Sequence, residues 1–277
     1  MSSSRIASLL AVSCLALAAC SFGGSGGGST APVQRGALSI GTDGFVDQSR
    51  ASVSRAEDGR ILLRITEGPM QNTTVLCEDR TLGACSVVGG PTGTSGQGTL
   101  LQRIEGNYAF VGNFSILQLM GTSSQSISQF AHSERPGTPP ARVRLPREGA
   151  VTYTGRFSGG AGLSNGDSGL VEGDMSLLVD FNQAVLSGRM NTGLSDGQPI
   201  SAAFNNVTIN ASNGEFQATR DTLFLFQDEG ARGEMTGAFY GPGAQEAAGV
   251  FNVGNGQGGM SGIFLACQGF DANCIRE

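Results

Sequence analysis

Any chemistry done by this 277-residue chain would have to come from few side chains. There is one histidine, His132, no tryptophan, and all 17 basic residues are arginine. The string GDSG at residues 166–169 offers Ser168 as a nucleophile, but a serine hydroxyl needs a base beside it and an acid to orient that base. His132, in QFAHSER, is the sole candidate base, and turn propensity alone explains the Gly-rich residues around Ser168. Asp167, Glu172 and Asp174 read as solvated residues of a Gly-rich loop, without a general-acid partner. His132 is also a possible haem-iron ligand, with Tyr108, Tyr153 and Tyr240 as further possibilities. The competing readings are an ordinary polar role for His132 and core packing for Tyr153, which alternates with Val151 and Phe157. GNGQGG, residues 254–259, has the glycine content of a phosphate-cradling loop, but a strand pattern follows where such a loop needs a helix N-terminus. It reads as a hairpin turn. The expectation is a protein that is not an enzyme, with no catalytic residue, no metal site, and no cofactor unless haem is bound.

The thiols are more informative. The N-terminus, MSSSRIASLLAVSCLALAAC, carries Arg5, an apolar run over residues 6–19 and small residues before Cys20, the layout of a secretory signal. Gly-rich sequence begins too soon for a membrane span. LAAC, residues 17–20, resembles the bacterial lipobox. That resemblance implies cleavage before Cys20, lipidation of its thiol, and stable anchoring by several acyl chains at roughly 0.8 kcal/mol per buried CH₂. Ser21 in place of Asp implies, on the same resemblance, the outer membrane. Residues 21–36, SFGGSGGGSTAPVQRG, have flexible-tether composition with a typical reach of about 20 Å. Four cysteines remain: Cys77, Cys85, Cys267 and Cys274. Three pairings are open. The C-x7-C and C-x6-C spacings favour two local bridges in an oxidising envelope compartment, and they lack the C-x2-C pair of a zinc site.

The 44 glycines and the low share of charged residues, 14%, predict a turn-rich chain. Short runs alternate apolar and polar residues between Gly, Asn, Asp and Pro, the pattern of half-buried antiparallel strands. One set lies in residues 37–133, including RILLRIT (60–66), TTVLC (73–77), GTLLQRI (98–104) and YAFVGNFSILQLM (108–120). Residues 134–149, ERPGTPPARVRLPREG, form a proline-stiffened linker. Its Arg135, Arg142, Arg144 and Arg147 are read as solvated, as paired with the acidic second half, or as a surface for anionic lipid or a partner. Residues 150–277 hold eight strand patterns, at 150–157, 175–181, 184–190, 200–209, 215–220, 234–240, 248–253 and 259–266. TLFLF, residues 222–226, has no place among them. In 175–181, Leu177, Val179 and Phe181 are expected to face inward. Eight antiparallel strands with one apolar face can close into a side-chain-filled barrel. The expected fold is all-β, with an N-terminal β-rich domain ahead of an eight-stranded antiparallel barrel. Residues 146–277 carry six Arg against 14 Asp and Glu, which disfavours nucleic acid.

GAFYGPGAQEAAGVFNV, residues 237–253, is spelled more specifically than the rest. Gly241, Pro242 and Gly243 read as the structural turn that stops one strand. Residues 244–247 are expected to make a single helical turn with Glu246 near its positive end. Gly249 is expected to let the next strand start, and Gly237 to make room for a large ring. Together with LPREGAVTYTG (145–155), LLVDF (177–181) and LSGRM (186–190), the string resembles the barrel half of transferrin-binding protein B-like surface lipoproteins. The resemblance implies that residues 37–133 form a β handle before the barrel, giving one handle and one barrel where transferrin-binding protein B has two of each. It further implies a lipid-anchored outer-membrane protein of a Gram-negative cell, exposed at the surface. Such a protein would capture a macromolecule or an iron or haem source for an outer-membrane receptor. The alternative is a structural envelope lipoprotein without ligand transfer. No ligand-binding residue carries over. Loops such as residues 158–169 are expected to meet a partner, and the 237–253 hairpin to serve stability.

Overall fold

The structure is a computed structural model that describes residues 36–40, 46–68, 71–90, 94–120, 123–136, 143–194, 197–269 and 274–276. The expected signal, Cys20, most of the tether and Arg142 lie outside the described residues.

The first lobe follows the chain in simple order. Strands β1 (Gly36–Ile40), β2 (Val46–Arg55), β3 (Ile61–Glu67) and β4 (Thr74–Cys77) are followed by β5 (Gly83–Gly89), β6 (Thr94–Glu105), β7 (Ala109–Met120) and β8 (Ser123–Glu134). Each pairs antiparallel with the next, and β1 pairs back onto β8 from Ala37↔Ala131 to Ile40↔Ser128, so the sheet closes. Strand β3 shows why these residues extend: Ile61, Leu63 and Ile65 are buried, while Arg64 points to solvent. They pack with Val75, Leu100, Phe110, Phe114 and Ile116 in the lobe's core. Cys77 and Cys85 oppose each other across β4 and β5 and are bridged.

The second lobe is also closed. Its strands are β9 (Ala150–Leu163), β10 (Ser168–Asp180), β11 (Val185–Gly193), β12 (Pro199–Asn210), β13 (Glu215–Gln217), β14 (Leu223–Phe226), β15 (Glu229–Tyr240), β16 (Glu246–Asn255) and β17 (Gly258–Gln268). Pairings β11 to β12 and β17 to β9 complete the circuit. Nine strands nevertheless make an eight-stave barrel, because β13 and β14 share the position between β12 and β15. TLFLF thus has a place after all: it continues the stave that Glu215–Gln217 begins. The interruption is a turn in which the Thr222 amide donates to the Thr219 carbonyl and the Thr222 hydroxyl to the Asn206 carbonyl.

The barrel is filled by side chains. Leu177 and Val179 are fully buried and Phe181 nearly so, whereas Leu178 between them is 54% exposed. Phe216 lies at the centre of the aromatic packing, edge-on to Phe239 at 5.4 Å and stacked on Phe264 at 6.2 Å. Residues 158–169 are not the loop expected from their glycines. Ser158 to Leu163 belong to β9 and Ser168 opens β10, leaving only residues 164–167 as the turn. Glu172 and Asp174 likewise sit in β10 and not in a loop. Glycine here marks close strand approach as well as turning, and composition alone does not separate the two.

Candidate functional site

The hairpin of β15 and β16 is where the two lobes meet, and this accounts for its sequence. An ordinary barrel strand hides one face; β16 is buried from Glu246 through Val253 on both. Inward, Ala247, Phe251 and Val253 join the barrel core. Outward, Ala248 and Val250, with Ala238, Tyr240, Ile263 and Leu265, form a separate apolar layer with Ile104, Ala109, Val111 and Phe130 of the first lobe. Small outward residues on the barrel let the flanking sheet of β6, β7 and β8 approach closely. Gly237 and Gly249 face each other across the hairpin. A Cβ on Gly237 would come within 2.3 Å of the Phe216 ring, and one on Gly249 within 2.8 Å of Phe264. Gly249 therefore lies inside β16 as a notch for a ring; the strand has already begun at Glu246.

The connection between the strands also differs from expectation. Residues 244–247 make no helical turn, since Glu246 already belongs to β16. The left-handed residues are Gly241, with φ of 81°, and Ala244, with φ of 58°, while Gly243 needs no such conformation. Gly241 is further constrained by the first lobe, because a Cβ there would lie 2.7 Å from the Tyr108 ring.

Glu246 is the polar centre of the junction. Its carboxylate accepts from three successive backbone amides in the turn between β6 and β7: Asn107 at 2.7 Å, Tyr108 at 3.0 Å and Ala109 at 2.8 Å. Gly106 opens the space, since a Cβ there would fall 2.3 Å from Glu246 Oε2. Burial pushes the Glu246 pKa above its ordinary value, opposed by the three amides and by the Arg135 charge. The same turn is held from its other side by the C-terminal tail. Cys274 is bridged to Cys267 at the end of β17. The Arg276 amide donates to the Glu105 carbonyl at 2.8 Å, and its guanidinium donates to Asn107 Oδ1 at 2.9 Å. A chain of ion pairs, Arg55 to Asp79 to Arg103 to Glu105 to Arg135, braces the first lobe's end beside it.

The residues singled out for chemistry are dispersed or committed to packing. His132 and Tyr240 are each 1% exposed, and His132 Nδ1 lies 2.8 Å from the Tyr240 hydroxyl across the junction. Tyr153 is buried in the barrel core, where its hydroxyl donates to the Ala244 carbonyl at 2.6 Å and burial raises its pKa. Tyr108 packs at the edge of the inter-lobe layer. His132, Tyr153 and Tyr240 are enclosed by protein. Ser168 pairs with Gly162, eight residues along β9 from the level of Thr154, Cys267, Glu246 and Tyr240. At ~3.3 Å per residue that is about 26 Å along the strands from the level of Tyr240, the partner of His132. Among the described residues no group of three His, Cys, Asp or Glu is placed to hold a metal ion. Gly256 and Gln257 form the tip of the β16 to β17 hairpin. Arg135 is paired with Glu105, whereas Arg144 and Arg147 are exposed.

Sequence reasoning missed Glu246 as an inter-lobe ligand. The available signal was a single carboxylate in AQEAAGVF, a run too apolar for a solvated strand start.

The barrel also carries a family's pattern. Residues 145–268 match the family model for the C-lobe and N-lobe beta barrels of Tf-binding protein B. The chain resembles the transferrin-binding protein B family. Among solved structures, transferrin-binding protein B of Haemophilus parasuis Hp5 is 19% identical, over 84% of this chain and 44% of that one, with a TM-score of 0.46. The isotype 1 transferrin-binding protein B of Neisseria meningitidis is 16% identical, over 84% and 43%, with a TM-score of 0.35. The N-lobe of lactoferrin-binding protein B of Moraxella bovis is 11% identical, over 85% and 100%, with a TM-score of 0.37. The chain thus spans less than half the length of the first two. No curated protein sequence matches it.

Proposed function

We propose that this protein is a lipid-anchored, surface-displayed binding lipoprotein of a Gram-negative outer membrane. It captures a macromolecular ligand, a transferrin-type iron carrier being the first to test, for an outer-membrane receptor. The observation that carries the reading is the family match of residues 145–268 to transferrin-binding protein B barrels. The N-terminal LAAC with Ser21 supports the anchor and its address. The junction gives a physical reason for the architecture: it holds the two lobes together, so loops from both can meet one large partner without a prior cost of docking the lobes.

The test uses cells expressing the full chain. Protease accessibility and antibody labelling of intact cells report display, and retention of iron-loaded transferrin, lactoferrin or proteins from host serum reports capture. Display with saturable retention of a component supports the reading. A protein shielded in intact cells, or displayed without retaining any component, overturns it and leaves the structural envelope role.

A further inference from the structure

Residues 143–149 do more than separate the lobes. They cross the end of the barrel where β10 turns into β11 and β12 into β13. Val143 and Leu145 reach the second of these turns: a Cβ on Gly214 would lie 3.4 Å from Val143 Cγ1 and 3.6 Å from Leu145 Cδ2. The Arg144 amide is fixed by the Pro242 carbonyl at 3.1 Å, and the Phe181 amide donates to the Gly149 carbonyl at 3.0 Å. Between this segment and the barrel end lies a cavity of about 580 Å³. Its apolar lining includes Val143, Leu145, Pro146, Phe181 and Ile209. Phe181 and Ile209 also belong to the barrel core, at 8% and 4% exposure, so that wall is rigid.

Two guanidinium groups, Arg144 and Arg147, line the same cavity. Both residues are exposed, and neither side chain has a hydrogen bond or ion pair among the described residues. Six other arginines, at positions 55, 60, 80, 103, 135 and 189, are each paired with a carboxylate. Among the described residues, two cations without a carboxylate partner therefore stand beside a partly apolar hollow in the acidic part of the chain.

We propose that this cavity is a binding site for a free medium-chain fatty acid anion. The walls remove an alkyl chain from water at roughly 25 cal/mol per Å². The guanidinium pair takes the carboxylate, whose planar geometry matches the arginine fork. The volume falls within the roughly 300–1,000 Å³ range of small-molecule sites. This ligand class is separate from any macromolecule captured by the loops, and the site stands or falls independently of that capture.

Decanoate is a suitable probe, being soluble as a monomer, and decanol is its uncharged counterpart. Calorimetric titration of the purified full-length protein is expected to show saturable one-to-one decanoate binding. Decanol should bind at least about tenfold more weakly, and Arg144→Gln with Arg147→Gln should lower decanoate affinity by about tenfold or more. Ala211→Trp changes an exposed turn residue of the cavity and fills the hollow; it should abolish binding while leaving the melting temperature unchanged. Absence of saturable decanoate binding overturns the proposal. So does undiminished binding by either folded variant, or equal affinity for decanol. Macromolecule retention measured on the same preparations separates this outcome from the fate of the proposed capture function.

Discussion

The contact between Gly106 and Glu246 makes the inter-lobe junction testable by a double-mutant cycle. A Cβ at position 106 would fall 2.3 Å from Oε2, 2.7 Å from Cδ and 2.9 Å from Oε1 of Glu246. Gly106→Ala therefore expels the carboxylate from its three amides. Glu246→Ala removes the same three bonds directly. Either change strips three backbone amides of their acceptor at about 1–3 kcal/mol each, and relief of the carboxylate's own burial cost, which outweighs the amides in setting its pKa, offsets several kcal/mol of that sum. Each single change is thus expected to cost about 3 kcal/mol. The double variant should also cost about 3 and not about 6 kcal/mol, because the new methyl group enters space that Glu246 has vacated. The coupling of about 3 kcal/mol is far above the ~0.5 kcal/mol scatter of independent sites. Equilibrium denaturation measures it, and hydrogen exchange at the Asn107, Tyr108 and Ala109 amides shows whether the loss is local. Additive single effects, or a neutral Gly106→Ala, would refute the assignment of Glu246 as the clamp.

Burial holds the Glu246 pKa above its ordinary 4.5, so the folded protein binds this proton more tightly than the unfolded chain. The stabilisation linked to this proton is fully present below pH 4.5 and is lost as pH rises through the raised folded value, while the ionised carboxylate still accepts from the three amides; Glu246→Gln should flatten that dependence, and the same pH dependence of stability in both proteins would refute the linkage. Gly241→Ala should lower stability by about 1–3 kcal/mol through its left-handed backbone and the Tyr108 contact, whereas Gly243→Ala, whose Cβ would meet only Gln245 at 3.5 Å or more, should be near neutral by thermal melting. Removing the Cys267 to Cys274 bridge should cost about 2.5 kcal/mol on chain-entropy grounds and speed amide exchange at Arg276; unchanged exchange would show that the tail is held without the bridge. Cys20→Ala should abolish metabolic acyl labelling, and equal labelling of wild type and variant would remove the anchor.

The barrel was legible where its strands alternate strongly. MSLLVDF shows its period-two pattern openly because every second residue enters one core. The first lobe hid more. VDQSRASVSR in β2 and SSQSISQFAHSE in β8 are dominated by Ser, Gln and Arg, so their extended pairing is set by the neighbouring strands and not by their own hydrophobic period. The Gly-rich residues 158–163 looked like loop because a strand whose backbone is approached closely has the same composition as a turn. At this position the Gly159 carbonyl accepts from Gln102 Nε2 of the first lobe at 3.4 Å, a contact 57 residues distant in the chain. Glu246 was legible as unusual but not as a clamp, because its partners are backbone amides and leave no residue-type signature at positions 107–109.

The hairpin at residues 237–253 shows how far a stability role and a functional role can coincide. Its inward residues fill the barrel, and its outward residues meet the first lobe. Apolar contact alone would leave the lobes free to slide, since burial is non-directional. The Glu246 carboxylate, fixed by three amides of one turn, and the His132 contact with Tyr240 are directional, and displacing the carboxylate deprives three amides of their acceptor. A slide of one residue along the strand, about 3.3 Å, would break every one of these bonds. The polar groups therefore select one relative placement of the lobes from the many that the apolar layer would accept, as buried polar groups do where they fix register. If a large ligand touches loops of both lobes, its affinity depends on that placement, so Glu246→Ala should weaken capture even where no ligand atom reaches the junction. Restoring the lobe placement by an engineered cross-link elsewhere in the junction should then restore capture without restoring the carboxylate.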